Sequence, residues 1–444
     1  MGTPSESTIV AQATAAGRGA LAVLRISGPH VASIRDTLTR PHRAGPWRSG
    51  ATRRVDVWDA EGRFDDAVAV FAAAPHTYTG EDTLELTVHG NPLIVERALA
   101  ACTALGARLA GPGEFTRRAV TAGKLDLLAA EGIDQLIRAS TPAGVEVARH
   151  AVSGKLSGQV CHFRAVLIDT IAELEARLDY PADELALTGD QALVAGLVAL
   201  AEECSELADS YRAGKLLVDG ARVALVGPVN AGKSSLFNAL LGHTRALVHE
   251  QAGTTRDVVE ARTRIGSLEV TLLDTAGERQ TDDPVEAAGL ALARELVEAA
   301  DLLIVVLRDG GRDPVERAIL DRTEGRGRIT ISHAIDRAGA SVAPRTLGVS
   351  SHTGAGLSEL RQRIEAALLG PMPDRPAIAS LRQADQLRQV AVAAREAVEA
   401  LPLAGVAVAA DILTEAAAQL DSLTGSDTRE DVLDAVFARF CIGK

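Results

Sequence analysis

Residues 227–234 read G-P-V-N-A-G-K-S, a complete phosphate-binding loop of the form G-x-x-x-x-G-K-S. Such a loop works only where a strand runs into it and a helix leaves it, and the flanks meet that demand. Ala221–Val226 is a short apolar run rich in β-formers, and residues 234–241 carry apolar positions at helical period. The glycines let backbone N–H groups curl around phosphate oxygens, and the helix N-terminus adds positive potential. Asn230, Ala231, Gly232, Lys233, Ser234 and Ser235 are therefore the expected phosphate contacts. Lys233 would reach the β and γ phosphates as the catalytic cation, and the Ser234 hydroxyl would bind Mg²⁺. A ligand-free glycine-rich turn is the plainer alternative.

Three downstream segments name the nucleotide. Gly253-Thr254-Thr255 lies where GTP-hydrolysing proteins carry the loop that supplies a second Mg²⁺ ligand, here Thr255. Asp274-Thr275-Ala276-Gly277 ends the run Leu268–Leu273, so Asp274 is expected to hold the metal through water and the Gly277 N–H to sense the γ phosphate. Ser350-Ser351-His352 has the form of the loop that lies over a guanine base. Four motifs in this order point to a GTPase rather than a generic ATPase.

The guanine-reading tetrapeptide is the exception. It is ordinarily N-K-x-D, whereas here Arg328–Ser332 runs into His333-Ala334-Ile335-Asp336. Asp336 can still accept from both the ring N–H and the exocyclic amine of guanine, and a paired acceptor rejects bases that lack those donors. The Asn that would brace the loop and the Lys whose stem would cover the base are absent. The expectation is guanine preference with weaker affinity; a fully lost base site is the alternative.

Composition bounds the rest. A chain of 444 residues has room for two or three domains. Cys102, Cys161, Cys204 and Cys441 are scattered and form no C-x-x-C pair, which argues for a reducing cytoplasm without a disulfide framework or zinc cage. The polar N-terminus is not expected to be a signal peptide, and Leu302–Leu307 is strand-sized, far too short to span a bilayer. A formal charge of −13 disfavours broad nucleic-acid binding. Arg40, His42, Arg43, Arg48, Arg53 and Arg54 form a local basic stretch, readable as a patch or as a solvated loop.

The texture changes along the chain. Residues 1–120 alternate short β-like runs with a helix at 92–105, an α+β domain. Residues 121–215 turn helical, with Leu156, Val160, Phe163, Leu167, Ile171, Leu174 and Leu178 forming one stripe. Residues 216–370 alternate strand and helix, the doubly wound α/β signature. Helical periodicity returns over 371–444, with a capping-box-like start at Asp427-Thr428-Arg429-Glu430 for a last helix burying Val432, Val436 and Phe440. The fold class expected is a multidomain α/β protein: an N-terminal α+β domain, and an all-α helical domain into which a P-loop GTPase domain is inserted.

Segments outside the nucleotide motifs carry a resemblance over nearly the whole length. They are residues 8–14 (T-I-V-A-Q-A-T), 24–29 (L-R-I-S-G-P), 78–82 (Y-T-G-E-D), 108–115 (R-L-A-G-P-G-E-F), 124–127 (K-L-D-L) and 440–444 (F-C-I-G-K). In these the chain resembles the bacterial tRNA-modification GTPase family MnmE, also called TrmE. The resemblance implies an N-terminal folate-binding, dimerising domain and a homodimer. It implies work with the flavoprotein MnmG on C5 of the tRNA wobble uridine, with a tetrahydrofolate derivative as one-carbon donor. Its folate residues fall on Arg25, Glu85 and Lys124, types suited to the glutamate carboxylates and pterin amide of a folate; ordinary surface pairing is their other reading.

The same resemblance places the residue that orients the attacking water in V-E-x-x-G, here Glu286, and leaves Glu278 without a fixed role. It replaces an arginine finger by K⁺, held by Asn230 and by the loop containing His249, Gln251 and Thr254. It makes Cys441 either a thiol taking part in modification or inert packing at a helix end. A regulatory or ribosome-assembly GTPase is the alternative function.

Overall fold

The computed structural model describes residues 7–179, 190–242, 258–275, 295–308, 313–336, 346–370, 377–426 and 429–444. Two compact units divide the chain: 1–134, 151–201 and 389–444 in one, 135–150 and 202–388 in the other.

The first unit begins with strands β1 (Ile9–Gln12) and β2 (Leu21–Ser27), helix α1 (Val31–Leu38), then β3 (Thr39–Pro41), β4 (Thr52–Asp59), β5 (Gly62–Ala72) and β6 (Thr83–His89). Helix α2 (Pro92–Ala104), β7 (Arg108–Leu109) and α3 (Glu114–Thr121) follow. The strands form one sheet in the order β3-β4-β5-β6-β2-β1-β7, antiparallel except where β1 meets β7. Alternation in β2 buries Ala22, Leu24 and Ile26 on one face, the half-buried-strand pattern, and α1 and α2 cover that face with Ile34, Leu38, Val95 and Ala98. Helix α2 starts where its sequence says it should. The Asn91 side chain accepts from the Leu93 N–H, and Pro92, which lacks an N–H to satisfy, takes the first turn.

The basic stretch is largely built into this unit. Arg40 donates to carbonyls at the end of α1, Arg53 to the Gly45 and Arg43 carbonyls, and Arg54 pairs with Asp66. Arg35 and Arg53 stack on Trp47 at 5.1 Å.

Helices α4 (Leu127–Arg138), α5 (Pro142–Val152), α6 (Lys155–Asp179), α7 (Asp190–Asp209) and α8 (Tyr211–Asp219) come next. The boundaries between the units fall inside α4, α5, α7 and the helix Leu381–Leu403. The α6 stripe is buried from Leu156 to Leu174, packed along the helix Val406–Thr424 and joined to it by Arg164–Asp421. Leu178 does not join it; at 54 % exposure it lies in the last turn of α6, beyond the apolar seam.

The last helix is Glu430–Phe437, N-capped by Arg429 without a side-chain hydrogen bond; Asp427 lies outside the described residues. Its buried contacts are Phe437 and Phe440, whereas Val432 and Val436 are half-buried. The tail beyond it is stitched into the first unit. The Gly113 N–H donates to the Cys441 carbonyl and the Phe115 N–H to that of Lys444. Gly443, at φ +96°, passes so close to Gln12 that a Cβ there would lie 2.3 Å from its carbonyl oxygen.

The second unit holds strands β8 (Ala221–Val226), β9 (Val258–Ile265), β10 (Leu268–Thr275), β11 (Leu302–Leu307), β12 (Arg328–His333) and β13 (Leu347–Val349), with helix α9 (Lys233–Leu241) leaving β8. The sheet order is β13-β12-β11-β8-β10-β9, parallel except for the β9–β10 hairpin. All six residues of β11 are buried, as a central parallel strand covered on both faces requires. No helix among the described residues is long and apolar enough to cross a membrane.

The tail geometry generates a prediction. Gly443→Ala has neither the conformation nor the space it needs, so the tail will lift. Hydrogen exchange at the Gly113 and Phe115 amides should then accelerate, with the β8–β13 sheet unaffected.

Candidate functional site

Parallel pairing decides where the motifs meet. In an open α/β sheet, ligands bind beyond the carboxyl ends of the strands, where the order reverses. Strand β8 ends at Val226 and releases the phosphate loop; β10, paired to it with Asp274 opposite Leu225, ends beside it. Strands β12 and β13 end in register, His333 opposite Val349, and release the two base loops on the same edge.

The phosphate loop has the conformation its sequence implies. Asn230 and Gly232 take left-handed backbone angles, φ +62° and +91°. The buried Lys233 ammonium donates to the Gly227 and Pro228 carbonyls at 2.9 Å each, which pins the cation under the loop. Ser234 and Ser235 are exposed in the first turn of α9, and Ala231 is buried beneath the loop. A hydroxyl at Ser234 and a carboxylate at the half-buried Asp274 are hard oxygen donors of the kind Mg²⁺ takes. Gly227 answers a different need: a Cβ there would lie 2.5 Å from the Val306 carbonyl of the neighbouring strand.

The base loops are linked side chain to side chain. Ser350 Oγ donates to Asp336 Oδ1 at 2.5 Å and accepts from the His352 and Thr353 N–H groups. His333 Nε2 lies 2.6 Å from Ser351 Oγ. Asp336 and His352 are exposed at the edge of the site. Ala334, where a Lys would otherwise stand, takes φ +60°, a left-handed angle costing an L-residue about 1–2 kcal/mol. Thr275 closes β10; His249, Gln251, Gly253, Thr254, Thr255, Ala276, Gly277, Glu278 and Glu286 lie outside the described residues.

In the first unit, Arg25 and Glu85 face each other across β2 and β6, with Arg25 Nε donating to Glu85 at 2.8 Å. The guanidinium lies over the rings of Tyr78 and Phe115, at 5.6 and 5.8 Å. Burial pushes the Tyr78 hydroxyl above its usual pKa, offset by its bond to Thr116 and the nearby Arg25. The exposed Lys124 lies along Gly80, two residues beyond Tyr78. Thus Arg25 and Glu85 touch each other, and Lys124 lies against Gly80 in the segment that also carries Tyr78. Cys441 is exposed, with its carbonyl held by Gly113 two residues before Phe115.

Beside Gly80 opens a cleft of about 890 Å³ lined by Thr79, Glu81, Arg108, Glu114, Arg118 and Phe437, among others. Its charges form a closed network. Arg118 donates to Glu81 at 2.9 Å and to Glu114 at 3.0 Å, while Arg108 clamps Glu114 with both terminal nitrogens. Burial would raise the Glu114 pKa, but hydrogen bonds from Arg108, the Gly111 N–H and Arg118 prevail and hold it at about 2. Sequence reading assigns Glu81, Glu114 and Arg118 no role, because nothing in spacing alone shows that these three converge. A second group with metal-ligand chemistry, Asp65, Asp66 and His89, is already committed: Asp65 holds the His89 ring at 2.6 Å and Asp66 pairs with Arg54.

Comparison with known proteins supplies the family. Residues 8–124 match the family model described as the GTP-binding protein TrmE N-terminus, and residues 127–441 match the MnmE helical domain. The chain is 38 % identical to the tRNA modification GTPase MnmE of Roseiflexus castenholzii over 99 % of both chains. It is 39 % identical to that of Myxococcus xanthus over the full length of both. Among solved structures, Era in complex with MgGDPNP and nucleotides 1506–1542 of 16S ribosomal RNA is 26 % identical, covering 39 % of this chain and 66 % of its own, with a TM-score of 0.29. So partial a likeness adds nothing to the sequence matches.

The Glu114 network makes stability depend on pH in a fixed sense. A carboxylate held at about 2 when folded, against its ordinary 4.5, stabilises the fold above the unfolded value and loses that contribution as pH falls towards 2. Glu114→Gln should cost about 1–3 kcal/mol at neutral pH. In urea melts, the gap from the parent should narrow as the solution is acidified below the ordinary carboxylate range.

Proposed function

The chain belongs to the MnmE family of tRNA modification GTPases, and on that premise we propose how its parts act. The protein hydrolyses GTP in tRNA modification. With the flavoprotein MnmG it adds an aminomethyl-type group, carboxymethylaminomethyl, to C5 of the wobble uridine, in the cytoplasm. A reduced folate serves as one-carbon donor. Residues 1–120 bind the folate and dimerise, 121–215 and 371–444 form the helical domain, and 216–370 form the inserted GTPase domain.

The observation that carries the GTPase part is the convergence of Lys233, Asp274 and the Asp336–Ser350 pair on one carboxyl edge of a parallel sheet. Phosphoryl transfer asks the protein mainly for positioning and charge neutralisation. Lys233 and the N–H groups of residues 230–235 hold the phosphates. Ser234 and Thr255 are assigned to Mg²⁺, with Asp274 acting through water. Glu286 orients the attacking water. Asp336, with Ser350, Ser351 and His352, reads the base. Asn230, His249, Gln251 and Thr254 are assigned to K⁺, whose charge replaces an arginine finger once two GTPase domains pair.

The folate assignment rests on Arg25, Glu85 and Lys124. A partly exposed ion pair contributes only about 0–1 kcal/mol to stability, so the Arg25–Glu85 pair on its aromatic bed is poorly explained as a structural device. It is well explained as a carboxylate and amide receptor. Cys441, exposed near this cluster, is assigned to the modification step.

Two measurements test this reading. GTP hydrolysis should run clearly faster in KCl than in NaCl at equal ionic strength; equal, slow rates would remove the K⁺ assignment. Deleting the gene should abolish the modified wobble nucleoside, and Arg25→Ala should fail to restore it while keeping GTP hydrolysis. A nucleoside unchanged by deletion would instead favour a regulatory or ribosome-assembly GTPase.

A further inference from the structure

We infer that His333 is the positioning residue that ties the base-reading loops to the phosphate loop, doing with an imidazole the bracing that the missing Asn would supply. The inference rests on the GTPase reading and extends it to the residue that stands at the Asn position of the guanine-reading tetrapeptide.

Three observations carry it. First, the ring fills the space over Gly232: a Cβ on that glycine would fall 2.2 Å from His333 Nδ1 and 2.4 Å from Cε1. Secondly, the opposite edge of the same ring reaches Ser351, with Nε2 at 2.6 Å from Oγ. Thirdly, His333 ends β12 opposite Val349 at the end of β13, and the next residue, Ala334, turns at φ +60°. The Ile335 N–H then returns to the Val349 carbonyl at 3.5 Å. The parallel Asp336–Ser350 bond links the two base loops to each other, whereas His333 also reaches the phosphate loop.

The consequence concerns binding. Asp336 can receive guanine only if residues 333–336 are fixed relative to the phosphates, and a planar ring wedged against Gly232 fixes that separation. Gly232 is therefore constrained by a side chain as well as by phosphate, since any Cβ would occupy the place of the imidazole. Loss of the ring should let the base loops drift, raising the nucleotide dissociation rate more than it lowers thermal stability.

The test is GDP affinity and dissociation, measured with a fluorescent GDP on the full chain alongside melting temperatures. The variants are His333→Ala, Ser351→Ala, the double variant and His333→Gln. Each alanine variant should weaken GDP by about three- to tenfold, the worth of one hydrogen bond with its packing. The double variant should be little worse than either single one, because residues in one contact are not additive. His333→Gln, whose amide nitrogen falls near the position of Nε2, should recover most of the affinity.

Additive losses, or a loss in His333→Gln equal to that in His333→Ala, would overturn the inference. Unchanged affinity in His333→Ala would do the same while leaving the GTPase reading intact. A parent protein that does not bind GDP would instead overturn the nucleotide reading itself. If His333→Ala does not fold, Ser351→Ala and His333→Gln still decide between the outcomes.

Discussion

The candidate nucleotide site depends on the parallel pairing of β8 between β10 and β11. That arrangement turns the carboxyl ends of five strands to one edge, so loops separated by more than a hundred residues open onto the same rim. The pairing is driven by burial. Strand β11 contributes six consecutive buried apolar residues, each worth about 1.5–3 kcal/mol when removed from water. Its closeness to β8 then dictates Gly227, which the Val306 carbonyl would otherwise displace. The first glycine of the phosphate loop thus serves the sheet, and Gly232 serves the loop and the His333 ring.

The first unit solves a different problem, placing charged groups where neither water nor a partner is guaranteed. It does so by saturation. Arg118 and Arg108 enclose Glu114, and the network closes on Glu81. Buried charges are tolerable only when paired and hydrogen-bonded, and removing one partner costs more than the pair contributed. The Arg25–Glu85 pair is more open, and its guanidinium lies over two aromatic rings. The C-terminal tail borders both groups through Gly113 and Phe115.

Much of this was legible beforehand because it is local. The phosphate loop, its strand and its helix are contiguous, and the α6 stripe follows one period. Failures came where periodicity outran its neighbours. Leu178 continues the stripe on paper, yet it lies beyond the seam and is exposed. The last helix begins at Glu430 under an Arg429 cap without a side-chain bond, so the capping-box pattern does not describe it. The basic stretch is readable as a patch or as a solvated loop; in the fold its arginines spend many of their donors on local carbonyls and Asp66, and Arg53 stacks on Trp47.

The chemistry on offer is already written in the chain: a phosphate-loop motif, carboxylates at Asp274 and Asp336, and N-terminal segments that match the family. These are properties of residue type and short spacing, which a linear string records. Which of these groups meet is set by the fold. That Arg25 faces Glu85, that Glu114 is held by two arginines, and that His333 lies on Gly232 while touching Ser351 all depend on strand register and helix packing. The sequence shows that an Asn and a Lys are missing beside Asp336. Only the folded chain shows a ring in the space above Gly232, because that contact joins residues a hundred positions apart, brought together by the order of strands in the sheet.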